Sequence, residues 1–113
     1  MSRLLTFVET SAFSKQISEL GNDTVLKDLQ EELLQSPERG GLIQGTGGLR
    51  KIRIALGGKG KRGGGRVIYL YLQIRSRIYL VYAYSKGELD DLSSDDKKRL
   101  KSWVDQIKKE VEP

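Results

Sequence analysis

At 113 residues, with 37% hydrophobic and 31% charged side chains, the chain has the size and balance of one small domain. It holds no cysteine and no histidine, which removes disulfides, thiolate chemistry and both the commonest metal ligand and the commonest general base near neutral pH, so any catalysis falls to Lys, Arg, Tyr or carboxylates. The formal net charge is +5, and it is segregated: between Glu38 and Glu88 there is no Asp or Glu, while eleven Lys or Arg fall inside.

Leu4 to Glu9 is short and apolar, and Thr6, Phe7 and Val8 predict a strand. Glu9 comes too early for a secretion signal, and no apolar run approaches the roughly 20 residues of a membrane span. A cytoplasmic protein without membrane contact is therefore expected. Thr10 or Ser11 can cap a first helix, in which Phe13, Ile17 and Leu20 recur at helical spacing before Gly21 closes it. Asn22 to Thr24 offer a second cap, followed by the stripe Leu26, Leu29 and Leu33, with Asp28, Glu31 and Glu32 on the other face. Ser36-Pro37-Glu38-Arg39-Gly40-Gly41 ends that helix, because Pro and paired Gly cannot continue it.

From Leu42 the period changes. In Leu49 to Leu56, Ile52, Ile54 and Leu56 alternate with Lys51, Arg53 and Ala55, the pattern of a strand with one buried face. Lys51 and Arg53 then stand side by side, about 7 Å apart. Residues 57–65 are too rich in Gly to pack a core and predict a flexible Gly/Lys loop. Arg66 to Arg75 and Ile78 to Tyr84 read as two further strands joined at Ser76, although the Asn-Gly type of turn signal is missing. Ser93 to Asp96 is a loose capping box opening a last helix marked by Leu100, Trp103, Val104, Ile107 and Val111. The order strand, helix, helix, three antiparallel strands, helix is that of one α+β domain over residues 1–113.

The basic stretch from Leu49 to Arg66 carries the chemistry. Gly58-Lys59-Gly60-Lys61-Arg62-Gly63 formally matches a dinucleotide-binding fingerprint, but it runs into a strand where that motif needs a helix N-terminus. As an RNA contact it is more coherent: glycines allow close backbone approach to phosphates, and Lys59, Lys61 and Arg62, with Arg50 on the preceding strand, supply charge. Lys51 and Arg53 on one strand face are placed to clamp a phosphate, and Arg66 opens the next strand where it can close on the same point. Tyr84 lies at a strand end, two residues before Lys86 and on its face, where a phenol stacks a base or moves a proton. The same features also suit a solvated strand face, a non-catalytic basic RNA-binding module or a DNA-binding helper.

The element order, the stretch Ile-Gln-Gly-Thr-Gly-Gly-Leu-Arg-Lys-Ile-Arg at 43–53, the Gly/Lys loop, Gly65-Arg66-Val67-Ile68-Tyr69 and Tyr84-Ser85-Lys86 resemble the RelE/HigB toxins of type II toxin–antitoxin systems. Within them the HigB-type branch, with its Gln-Gly-Thr-Gly-Gly-Leu signature, is most similar. The resemblance covers nearly the whole chain. It implies a RelE-like α+β fold, a small antiparallel, mixed-order sheet with two N-terminal helices and one C-terminal helix. It further implies a ribosome-dependent mRNA endonuclease that needs no metal or other cofactor and in which a 2′-hydroxyl attacks the adjacent phosphate. Lys51 and Arg53 match the paired basic positions of the family's strand, Lys51 as base or acid. Arg53 and Arg66 are implied to stabilise the phosphate, and Tyr84 and Lys86 to be the C-terminal part of the site. The histidine that several relatives use has no counterpart, and Gly87 stands where others carry Arg. The implied partners are the 70S ribosome with its mRNA and a cognate antitoxin with a helix-turn-helix DNA-binding domain, operator DNA being met only through the antitoxin complex.

Overall fold

A computed structural model describes residues 4–57, 64–88 and 92–111 of the chain. The strands are β1 (Thr6–Glu9), β2 (Gly41–Leu42), β3 (Leu49–Ile54), β4 (Gly65–Leu72) and β5 (Arg77–Ser85), and the helices are α1 (Ser11–Leu20), α2 (Asp23–Gln35) and α3 (Ser94–Val111). The strands form one sheet in the order β1-β5-β4-β3-β2. β1 runs parallel to β5, with Thr6 opposite Arg77 and Glu9 opposite Leu80, and the other neighbours are antiparallel. The α+β architecture is the one expected. The sheet is wider than the three-strand reading, because β1 joins it beside β5 and the short β2 extends its other edge.

The helix starts follow from their capping side chains. Thr10 accepts from the Phe13 N–H at 3.0 Å and Asn22 accepts from the Thr24 N–H at 3.0 Å. Ser93 and Asp96 form the reciprocal box: the Ser93 hydroxyl accepts from the Asp96 N–H at 3.1 Å and the Asp96 carboxylate from the Ser93 N–H at 3.2 Å. The expected strand from Arg66 to Arg75 stops earlier, at Leu72. Gln73–Arg75 forms a single 3-10 turn closed by Ser76, which takes the left-handed conformation at φ 48°. That turn does the work of the missing Asn-Gly signal.

Each sheet face packs on a helical layer. On one side Phe13 and Ile17 of α1 and Leu29 and Leu33 of α2 meet Ile52, Ile54, Val67, Tyr69, Ile78, Leu80 and Ala83. Full burial of side chains such as Phe13 and Leu33 is worth about 1.5–3 kcal/mol each. On the other side Leu100 and Val104 of α3 meet Leu49, Ile68, Leu70, Leu72, Tyr79, Val81 and Tyr84. The face under α3 continues along β3 into Lys51 and Arg53, which are exposed where Leu49 is buried. One helix thus covers only part of this face, and the uncovered part is cationic. Among the described residues no helix is long and apolar enough to cross a membrane.

Candidate nucleic-acid cleft

The uncovered end of the sheet is built from three adjacent strands in register. Arg53 of β3 stands opposite Arg66 of β4, and Arg66 stands opposite Tyr84 of β5. Directly opposed residues share a face with Cβ atoms about 4.5–5.5 Å apart. Lys51, two residues before Arg53, lies on that face as well. Lys86 follows Tyr84 by two, and its N–H donates to the Gly64 carbonyl at 3.0 Å, which ties the end of β5 to the start of β4. Lys51, Arg53, Arg66, Tyr84 and Lys86 line one cleft of about 660 Å³ together with Glu32, Arg39, Gly40, Gly41, Ile52 and Gly87.

Tyr84 reaches this face because β5 is bulged. Leu80 pairs with Tyr69 and Tyr82 with Ile68, so Val81 is the extra residue. Strict alternation from Leu80 would place Tyr84 on the α1–α2 side and Ala83 on the α3 side. The reverse holds: Ala83 shares the α1–α2 core with Leu80, and Tyr84 shares the α3 core with Val81. The inserted residue turns every later side chain over. Tyr84 is consequently packed beneath α3, 9% exposed, while still lining the cleft.

The electrostatics are one-sided. Glu32 is the single carboxylate among the described residues that line the cleft, and it is bonded to Arg39 at 3.3 Å across the rim. The Arg66 guanidinium is half-buried and donates to the Gly65 carbonyl at 3.0 Å. Beyond Lys86, the hydroxyl and N–H of Ser85 bond the Glu88 carboxylate and hold it below the ordinary carboxylate range. Among the described residues no group of three His, Cys, Asp or Glu side chains is placed to hold a metal ion.

The remaining residues singled out in the sequence lie elsewhere. Arg50 points away from Lys51 and Arg53, and its guanidinium donates to the carbonyls of Glu38 at 3.0 Å and Gly40 at 2.7 Å. It braces the turn between α2 and β2 and is not among the cleft's lining residues. Lys59, Lys61 and Arg62 fall outside the described residues, which resume at Gly64, ahead of β4 and not of a helix. Arg39, Gly40 and Gly41 are cleft residues that the sequence reading used only as a helix stop. Arg39 carried a signal, since it is the first cation of the acid-free stretch.

The model of the family described as "RelE toxin of RelE / RelB toxin-antitoxin system" matches residues 22–112. Among solved structures, a doubly Arg-to-Ala substituted Escherichia coli toxin RelE in the free state superposes with a TM-score of 0.59 at 21% identity, covering 88% of this chain and 99% of that one. The RelE chain of the intact E. coli RelBE toxin–antitoxin complex gives 0.55 at 22% identity, covering 75% and 99%. The archaeal RelE–RelB complex of Pyrococcus horikoshii OT3 gives 0.51 at 20% identity, covering 74% and 97%. These likenesses extend the fold across nearly the full length of each relative, and the family match spans α2, all of β2 to β5 and α3. The chain belongs to the RelE toxin family.

Proposed function

We propose that the chain is the toxin of a type II toxin–antitoxin pair and acts in the cytoplasm as a ribosome-dependent mRNA endonuclease. The observation that carries this reading is the register Arg53–Arg66–Tyr84 across three strands, flanked by Lys51 and Lys86 in one cleft. In the reaction the 2′-oxygen of one nucleotide forms a bond to the adjacent phosphorus while the bond from phosphorus to the 5′-oxygen breaks. The 2′-proton leaves to a base, and the departing 5′-oxygen takes a proton from an acid, so the sum is proton-neutral. Between the two steps negative charge builds on the non-bridging oxygens.

Arg53 and Arg66 supply planar, permanently charged donors to those oxygens. Lys51 beside them serves one of the proton transfers. Tyr84, largely buried yet lining the cleft, stacks a base or serves the other transfer, and Lys86 binds the next phosphate or assists it. Their low intrinsic competence for proton transfer fits an enzyme whose substrate geometry is imposed by the ribosome. Arg50, Lys59, Lys61 and Arg62 remain RNA-contact candidates outside this core. The solved RelE chains in complex with RelB support an antitoxin as partner. For this chain we assign a cognate antitoxin with a helix-turn-helix domain, through which the pair meets its operator DNA.

Expression of the chain alone should arrest growth and cut translated mRNA, while naked RNA is cut poorly. Arg66→Ala should lower cleavage by roughly 100-fold or more, as loss of a charge-stabilising donor does. Primer extension on mRNA from induced cells measures this directly, and unchanged toxicity and cleavage in Arg66→Ala would overturn the assignment.

A further inference from the structure

The bulge that presents Tyr84 to the cleft is flanked by β4 on one side only. β1 ends its pairing at Glu9 opposite Leu80, so on that flank β5 has no strand beside it from Val81 onward among the described residues. Helix α1 takes the place of a strand. The Thr10 N–H donates to the Leu80 carbonyl at 3.0 Å, and the Thr10 hydroxyl donates to the Val81 carbonyl at 2.7 Å. One helical turn and a half later, the Gln16 side-chain oxygen accepts from the Ala83 N–H at 2.9 Å. These contacts bracket the inserted residue and span 71 and 67 positions of sequence.

The ring is packed in the α3 core. Tyr84 also borders a second cavity of about 370 Å³ shared with Gln16, Tyr82, Leu92 and Leu100. Which face the side chain enters, and so its place opposite Arg66, follows from the backbone register at the bulge. A buried backbone N–H without a partner costs about 1–3 kcal/mol. Removal of the Gln16 oxygen leaves the part-buried Ala83 N–H without that acceptor and weakens the hold on the bulge, whose loss would turn Tyr84 toward the opposite face.

We propose that Gln16, seconded by Thr10, is the positioning residue of the cleft: through the Ala83 N–H it holds the β5 bulge and so sets Tyr84 in register with Arg66. The catalytic consequence rests on the function proposed above, whereas the geometric one does not.

Two measurements on the full chain keep them apart. In the first, NMR cross-peaks between the Tyr84 ring and the Arg66 side chain report the register without any reaction. They should persist in Gln16→Glu, which keeps the acceptor, and weaken or vanish in Gln16→Met, which keeps the length and removes it. Unchanged cross-peaks in folded Gln16→Met would overturn the proposal. In the second, cleavage on mRNA-programmed ribosomes should fall roughly tenfold in kcat for Gln16→Met, with KM held within about twofold and recovery in Gln16→Glu. In a Tyr84→Ala background the Gln16→Met change should have no further effect, whereas an equal further loss there would show a merely structural role and overturn it. Should Tyr84→Ala itself cleave normally, the role given to Tyr84 fails, and the cross-peaks still decide the positioning. If Gln16→Met does not fold, Thr10→Val against Thr10→Ser makes the same comparison at the Val81 carbonyl.

Discussion

Tyr69 is a fully buried tyrosine whose phenol donates to the Pro37 carbonyl at 2.7 Å and accepts from the Gly40 N–H at 2.9 Å. It fastens the turn that carries Arg39 to the rim of the cleft. Burial pushes this phenol above its ordinary value of 10.0, and the lowering effects of the Gly40 N–H and the nearby Arg50 only partly oppose that. A group whose folded pKa is raised stabilises the fold fully below its unfolded value, and the contribution is lost as pH rises through the folded one. For Tyr69 the loss begins above about pH 10, where the phenol of the unfolded chain ionises while the folded one still holds its proton on Pro37. Tyr69→Phe should cost about 1–3 kcal/mol at neutral pH, since it orphans the Gly40 N–H and the Pro37 carbonyl together. It should also remove part of the alkaline decline. Urea unfolding at pH 8 and again above pH 10 checks both: a variant as stable as the parent at pH 8, or one with the parent's full alkaline slope, contradicts this account.

At the scale of elements, the turn from α2 into β2 is as tightly specified as the strands. A Cβ on Gly40 would meet Tyr69 Cε1 at 2.8 Å and the Lys51 carbonyl at 3.0 Å. The ring is pinned by its own hydrogen bonds, and the carbonyl belongs to β3, so neither neighbour yields cheaply. Gly40→Ala should therefore destabilise by about 1–3 kcal/mol, while alanine at Gly41, where a Cβ meets nothing within 4 Å, should cost far less. Thermal melts of the two variants side by side check the contrast. Much of this level was legible in the residues. The alternation Ile52, Ile54, Leu56 against Lys51, Arg53 gave β3 and half of the cleft, and Thr10, Asn22 and Ser93 announced the helix starts, because both signals are local. The parallel pairing of β1 with β5, the two-residue β2 and the β5 bulge were not legible. Each depends on partners far along the chain, and the bulge in particular on Thr10 and Gln16. The alternation of β5 taken by itself puts Tyr84 on the wrong face relative to Leu80. Arg39 was missed for a related reason: a Pro-Gly turn reads as an ending, and only the tertiary contact between α2 and β3 makes it a wall.

Over the whole molecule, charge and covering are complementary. The acids lie outside residues 39–87 in sequence, α3 covers the apolar part of its sheet face, and the cationic part is left as the cleft. In sequence Lys59, Lys61 and Arg62 lie between β3 and β4, whose last described pair, Ile54–Gly65, is one register step beyond Arg53–Arg66. In the proposed reading Lys59, Lys61 and Arg62 serve binding while Lys51, Arg53 and Arg66 serve the chemistry, which separates their expected responses. Contacts to phosphates release counterions, and each one contributes about 0.7–0.9 to the slope of log affinity against log salt. Replacing Lys59, Lys61 and Arg62 together by Ala should weaken binding to mRNA-programmed ribosomes and lower that slope by up to about 2–3. Arg53→Ala should change the slope by at most about 1 and reduce turnover by far more than binding, since its charge is aimed at the transition state. Binding titrations across a salt series, paired with single-turnover cleavage at saturation, resolve the two. If both variants lose affinity and turnover in the same proportion, the cleft and the loop act as one undivided basic surface, and the division between gripping and cutting has no basis.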